Sequence, residues 1–264
     1  MAGVALITGG ASGMGFAVST SLSKKGWTVN IADLNVQRGE EVAAELSGSF
    51  FKTDVNNYES LSNTFDQVFK KYNKLNFVFA NAGVGERKNF YAKTDTISGP
   101  PAELDFIIDI DLKSVINSAY LAQHYFRKNS KRENACLILN SSIAGIYPVR
   151  FCPIYTAAKH GVVGFARAIS RHFYDNDGIR VNTLCPGNVR TNLFEKNEWD
   201  AFDNKWIELS QIVKVVELML FDEKIQGQVI EAAPENYYVI PPLAYNDPNV
   251  KRTLDGTVVD SIGK

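Results

Sequence analysis

The chain has 264 residues, 45% of them hydrophobic, enough to bury a sizeable core as one α/β domain. Its 28 basic and 29 acidic residues leave a net charge of −1, which offers no general attraction for nucleic acid or an anionic membrane surface. Three cysteines, Cys136, Cys152 and Cys185, without paired spacing argue against a disulfide framework and for a reducing compartment.

The first apolar run, Gly3 to Thr8, is bounded by glycine and has the pattern of a buried strand. It leads into Thr8-Gly-Gly-Ala-Ser-Gly-Met-Gly15 and then a helical pattern from Phe16 to Lys25. Gly9, Gly13 and Gly15, with Ser12 and Met14 between them, form a turn that lets backbone approach a pyrophosphate at the positive end of the next helix. A tight strand–helix connection alone could use the same glycines; their place between strand and helix favours a dinucleotide site. The next strand pattern, 28–32, ends in Asp33 and Leu34, about twenty residues beyond the glycines. A carboxylate there accepts hydrogen bonds from the adenosine ribose and repels a 2′-phosphate. No arginine follows at once, so NAD is expected over NADP.

A helix over 35–46 and a strand over 49–52 follow, and that strand leads into Asp54 and Val55. Asp54 either meets the adenine amino group or caps the helix that starts near Tyr58. A further strand over 75–80 runs into Asn81, Ala82 and Gly83. The order β-α-β-α-β-α-β, with crossovers of helical length, implies a parallel doubly wound sheet, a Rossmann-type α/β fold in a single domain. Residues 85–100 are polar and aromatic without periodicity, which suits a loop near the ligand crevice. A long helix is expected over 102–126, then a strand over 136–139.

Past that strand the residues begin to spell chemistry. Tyr155 and Lys159 are four apart in a helical pattern over 153–174, so their side chains share one face, a turn apart. A free phenol titrates near 10 and is a poor acid or base at neutral pH; a fixed ammonium beside it favours the phenolate. Ser142, thirteen residues before the tyrosine, lies where the preceding strand ends and could hold a substrate oxygen. Together the three read as a proton-transfer site for a carbonyl or an alcohol.

The remaining elements are a sixth strand over 179–184, closed by Cys185-Pro-Gly187, and a last strand over 228–232. Between them, 191–210 is amphipathic, with Phe194, Trp199, Phe202 and Trp206 at helical spacing. The stripe serves either ordinary packing or a bulky hydrophobic substrate. The tail over 234–264 holds four prolines and is expected to drape over the surface, which sets a domain of 1–233 with a substrate-covering segment of about 189–210. No signal peptide pattern precedes the first strand and no apolar run reaches about 18 residues, so a cytoplasmic protein without a membrane partner is expected.

The set TGGASGMG, strand-end Asp33, ANAG over 80–83, and Ser142, Tyr155 and Lys159 resembles the short-chain dehydrogenase/reductase family over roughly residues 3 to 233. The segments SSIAGIYPV, PIYTAAKHGVVGF and CPGNVRT are most similar to its 15-hydroxyprostaglandin dehydrogenase branch, which uses NAD. The resemblance implies Tyr155 as general acid/base, Ser142 orienting the substrate oxygen, and Lys159 binding the ribose and depressing the tyrosine pKa. It also implies that Asn81, Ala82 and Gly83 line the cofactor site and that Pro186, Gly187, Val189 and Thr191 close over the nicotinamide. Tyr147 and Cys152 join Ser142 on the substrate side. The helices over 102–126 and 153–174 imply a homodimer or homotetramer, although core packing would use the same faces.

Two positions depart from the family. An asparagine whose backbone helps hold a water near the lysine is replaced by Asp111, before Leu112. Either its carboxylate cancels part of the Lys159 field and raises the Tyr155 pKa, or only its backbone serves. Prostaglandin dehydrogenases have glutamine where Cys152 stands, which argues against a prostaglandin substrate. The expectation is an NAD-dependent enzyme interconverting a hydrophobic secondary alcohol and a ketone, with no metal. The alternatives are a biosynthetic ketone or imine reductase, or a non-redox member of the fold.

Overall fold

In the computed structural model, which describes residues 3–93, 99–129, 134–193 and 205–256, the central strands are buried along their whole length. These are β1 (Val4–Thr8), β4 (Phe77–Ala80), β5 (Cys136–Asn140) and β6 (Arg180–Pro186). Alternate residues divide between two cores. Ile7, Phe77, Phe79 and Ile138 pack on one face, and Leu6, Val78, Leu137 and Leu139 on the other. Covering on both faces is why these strands read as unbroken apolar runs rather than as alternating ones.

With β2 (Thr28–Asp33), β3 (Ser49–Lys52), β7 (Val229–Ala232) and β8 (Tyr237–Val239) they form one sheet in the order β3-β2-β1-β4-β5-β6-β7-β8. All neighbours are parallel except β7 and β8. Helices α1 (Gly13–Lys24), α2 (Val36–Glu45) and, near the end of the chain, α7 (Leu209–Phe221) cover one face through Leu22, Val42 and Val216. Helices α3 (Tyr58–Tyr72), α5 (Ser114–Arg127) and α6 (Pro153–Asp177) cover the other through Phe65, Ala119 and Val162. The winding reverses between β1 and β4. Such a switch point opens a crevice at the carboxyl ends of the strands, where a ligand is held by loops on a rigid base.

The helix expected over 102–126 is not regular. It consists of α4 (Leu104–Ile108), a wide π turn over Asp109–Lys113, and α5. In the π turn the amide of Ser114 reaches back to the Asp109 carbonyl, and the Ser114 hydroxyl donates to the Ile110 carbonyl at 2.5 Å. Single π turns of this kind recur at functional sites. This one directs Asp111 inward, where it is fully buried.

After residue 233 the short strand β8 pairs antiparallel with β7, Ile230 opposite Val239. Arg167 of α6 donates to the carbonyls of Ile240 at 3.3 Å and Pro241 at 3.1 Å, fastening the segment after β8. An exposed helix, α8 (Pro248–Gly256), follows. Three residues, Tyr-Tyr-Val, are too few to give a strand signal of their own. Among the described residues no helix is long and apolar enough to cross a membrane.

Candidate active site

A cleft of about 740 Å³ opens at the carboxyl ends of β1, β2, β4, β5 and β6. Its walls differ in kind. The first is made of backbone. Gly9 and Gly13 adopt φ +63° and +52°, a left-handed conformation that costs glycine little and other residues more. Ser12, the N-cap of α1, makes no side-chain capping bond, so the orphan amides of the first helical turn are left to a ligand. Asp33 at the end of β2 accepts from the amides of Ala11 and Asn35, both at 3.0 Å. Asn81 ties β4 to the turn, donating to the carbonyls of Thr8 at 2.9 Å and Gly9 at 3.3 Å. A turn open to anions and a carboxylate twenty residues further on fit a dinucleotide.

Most of the expected cofactor residues line this cleft: Gly9, Ser12, Gly13, Met14, Asp33, Leu34, Asp54, Val55, Asn81, Ala82, Gly83, Pro186, Gly187, Val189 and Thr191. Gly15 does not. A Cβ there would lie 2.2 Å from the Gly9 carbonyl oxygen, so its role is close packing of α1 against the turn. Asp54 does not cap α3. Asn57 does, accepting from the Ser60 amide at 3.0 Å, while Asp54 accepts from the Asn56 amide at 2.9 Å.

The second wall is made of titratable side chains. Ser142 follows β5 and caps a short 3₁₀ turn, Ile143–Gly145, through the Ala144 amide at 3.1 Å. Tyr155 and Lys159 project from the first two turns of α6, with the ammonium 5.3 Å from the centre of the phenol ring. Lys159 is buried and paired with Asp111, Nζ to Oδ1, at 3.0 Å, and reaches the Asn140 carbonyl at 3.4 Å. The same Oδ1 accepts from the Val84 amide at 3.2 Å. Gly83 has to be glycine beside it, because a Cβ would lie 2.6 Å from that oxygen. Thus the departing residue brings its carboxylate into the site.

Burial pulls the Lys159 ammonium down, but the Asp111 carboxylate and the Tyr155 phenol outweigh it and leave its pKa raised. The Tyr155 phenol also ends above its ordinary value. Burial is the main cause, the ammonium opposes it, Asp111 adds to it, and a hydrogen bond with Ser142 lowers it. The lysine thus acts on the phenol in the direction expected from the sequence, downward, against a larger upward pull from burial.

Glu86 was not foreseen. It is buried and lines the cleft between Val84 and Cys152. Its carboxylate accepts from the Tyr155 amide at 2.9 Å and also from the Ile154 amide. The start of α6 needs this help. Cys152 at the N-cap makes no side-chain capping bond, Pro153 has no N–H, and the Thr156 amide goes to the Cys152 carbonyl at 3.0 Å. Glu86 thus completes the cap of the helix that carries Tyr155 and Lys159. A carboxylate shortly after Asn-Ala-Gly was the only available sequence signal.

On the substrate side, Ser142 and Cys152 line the cleft, the thiol pushed up to about 12 by burial and therefore neutral. Tyr147 does not line it. It is exposed, and its hydroxyl donates to Glu231 at 2.8 Å. Trp206 is also absent from the lining and stacks under Arg190 at 4.6 Å. Phe194, Trp199 and Phe202 lie outside the described residues. Among the described residues no cluster of histidine, cysteine, aspartate or glutamate could hold a metal.

The short chain dehydrogenase family model matches residues 3–201. The short-chain dehydrogenase/reductase prx7 of Penicillium rubens is 41% identical over 94% of this chain and 97% of its own length. Human 15-hydroxyprostaglandin dehydrogenase, whose name specifies NAD(+), is 34% identical over 80% of this chain and 77% of its own. The crystal structure of a 3-ketoacyl-(acyl-carrier-protein) reductase from Brucella melitensis, complexed with NADH, has a TM-score of 0.78 at 22% identity. It covers 88% of this chain and 97% of that one, a likeness of fold.

Proposed function

The chain belongs to the short-chain dehydrogenase family of oxidoreductases, and we propose that it is an NAD-dependent enzyme interconverting a hydrophobic secondary alcohol and a ketone. The observation that carries this reading is the convergence of Ser142, Tyr155 and Lys159 on a cleft whose other wall is a glycine turn with Asp33 at its edge. When bound there, NAD supplies the hydride acceptor. The protein supplies position and proton chemistry.

In this reading the Ser142 hydroxyl holds the substrate oxygen, and Tyr155 takes its proton during oxidation or returns it during reduction. Lys159 provides the field that makes the phenolate accessible, and Asp111 weakens that field while keeping the lysine charged. Asp33 favours NAD because its charge meets the site where NADP carries an additional phosphate. The exposed Ile116 and Tyr120 of α5 and Tyr174 of α6 suit assembly into a homodimer or homotetramer.

The test is turnover of a panel of hydrophobic secondary alcohols followed by NADH absorbance. Oxidation of at least one alcohol, with NAD preferred to NADP, is expected. No hydride transfer with any alcohol or its ketone would reject the proposal and favour a non-redox member of the fold.

A further inference from the structure

The charged side chains that line the cleft are, with a single exception, tied to the protein. Asp33 and Asp54 accept from backbone amides, Glu86 caps α6, and Asp111 pairs with Lys159. Arg150 is the exception. It is exposed, and among the described residues it makes no hydrogen bond or ion pair. Arg87 and Arg190, which do not line the cleft, are both engaged, Arg87 with the Leu193 carbonyl at 3.3 Å and Arg190 over the Trp206 ring.

The place of Arg150 is fixed by its turn. Arg150 and Phe151 form the tip, and at the base the Val149 carbonyl accepts from the Cys152 amide at 3.2 Å and the Thr156 hydroxyl at 3.3 Å. These bonds fasten the turn to the start of α6, which carries Tyr155. Pro148, Val149 and Phe151 line the cleft beside the arginine, so this stretch of wall is apolar apart from the guanidinium.

An arginine at a turn tip in open solvent needs no partner but water. At the wall of an apolar cleft the same group is an open site for an anion. Its planar fork donates two hydrogen bonds to one carboxylate, and the attraction strengthens as a ligand excludes water. The cofactor does not account for it, because the glycine turn that suits a pyrophosphate stands on the other wall. Ser142 and Tyr155 are half-buried and Arg150 is exposed, so an anion held by Arg150 stays near the mouth while the reacting carbon lies further in. We propose that Arg150 is a specificity-determining residue that binds a carboxylate at the end of the substrate remote from the reacting carbon. This rests on the alcohol–ketone reading and narrows it: the substrate is a hydroxy or oxo acid, apolar between its two polar ends.

The probes are methyl ketones with a terminal acid, 5-oxohexanoate, 7-oxooctanoate and 9-oxodecanoate, each matched with its methyl ester. Their binding to the full chain with saturating NADH is measured by calorimetry, and NADH oxidation by absorbance. At one length or more the acid is expected to bind roughly tenfold tighter than its ester. Arg150→Gln, with its fold checked by circular dichroism, is expected to bring acid and ester within about twofold of each other. Equal binding of acid and ester at every length, or binding of none, overturns the inference without any variant. So does a preference for the acid that Arg150→Gln leaves intact. A preference that is lost in Arg150→Gln, without NADH oxidation by any ketone, would instead reject the alcohol–ketone reading and leave the role of Arg150 standing.

Discussion

The two walls of the cleft solve different problems. The wall built by β1, β2 and β4 is a matter of shape. Its key positions are glycines at φ +63° and +52°, and its polar side chains, Asp33 and Asn81, are already bonded to backbone. The wall built by β5, the π turn and α6 is a matter of charge. It buries Asp111, Lys159 and Glu86, and it leaves Asp111 Oδ2, Glu86 Oε1 and Asn140 Oδ1 without partners among the described residues. The side chains of the first are bonded before a ligand arrives, and some buried polar atoms of the second are not. The difference teaches that affinity for the cofactor can be fixed by backbone while the chemistry is held in unsatisfied polar atoms, which are expensive and therefore specific.

Substitutions that fall on one wall and not the other sharpen this contrast. Tyr155→Phe removes the proton and little else, so turnover is expected to fall roughly 10²–10⁴-fold while NAD binding by calorimetry persists. Equal losses in both would break the separation of the walls. Gly15→Ala acts on shape alone. With a Cβ 2.2 Å from the Gly9 carbonyl oxygen, the turn has to open, and a loss of about 1–3 kcal/mol in thermal unfolding is expected together with weaker NAD binding.

Asp33→Ala removes the charge at the edge of the shape wall. The unaltered protein is expected to bind NAD at least about tenfold tighter than NADP, about 1.4 kcal/mol, and the variant to narrow that gap. NADP binding as tight as NAD in the unaltered protein would contradict the role given to Asp33.

Asp111→Asn tests the charge wall most finely. Asp111 raises the Tyr155 pKa, so its neutralisation lowers that pKa. Alcohol oxidation needs the deprotonated phenol, so the rising limb of kcat/KM against pH is expected to move to lower pH, by about half a unit to one unit. An unmoved profile in a folded variant would mean that the carboxylate serves only to hold Val84 and Lys159 in place.

The shape wall was largely legible in the sequence, and the charge wall was not. A left-handed turn leaves a mark in residue type, so Gly9 and Gly13 could be read directly, although Gly15 turned out to pack rather than to line. Tyr155 and Lys159 were legible because helical spacing fixes which face they share. Whether the lysine or the burial decides the phenol's pKa depends on what surrounds both, and spacing carries no such information. Glu86 caps a helix 69 residues away, a relation that exists only after folding. Asp111 could be seen as unusual, but its ion pair needed the π turn to aim it. The aromatic stripe shows the same limit, since Trp206 has the periodicity of a substrate wall and is instead stacked under Arg190.

The π turn over Asp109–Lys113 has a consequence for how one stretch of chain serves two neighbours. An α-helix advances about 100° per residue, so one additional residue in a turn rotates everything before it by about that angle relative to everything after. Upstream, Ile107 faces Ile154 and Ala158 at the head of α6; downstream, Val115 and Ala119 face the sheet. The two halves could not both turn their apolar stripes to their own partners in an unbroken helix of the same residues. Removing a single residue from the turn would allow a regular helix that keeps both stripes on their partners, but it would take away the wide turn that directs Asp111 towards Lys159.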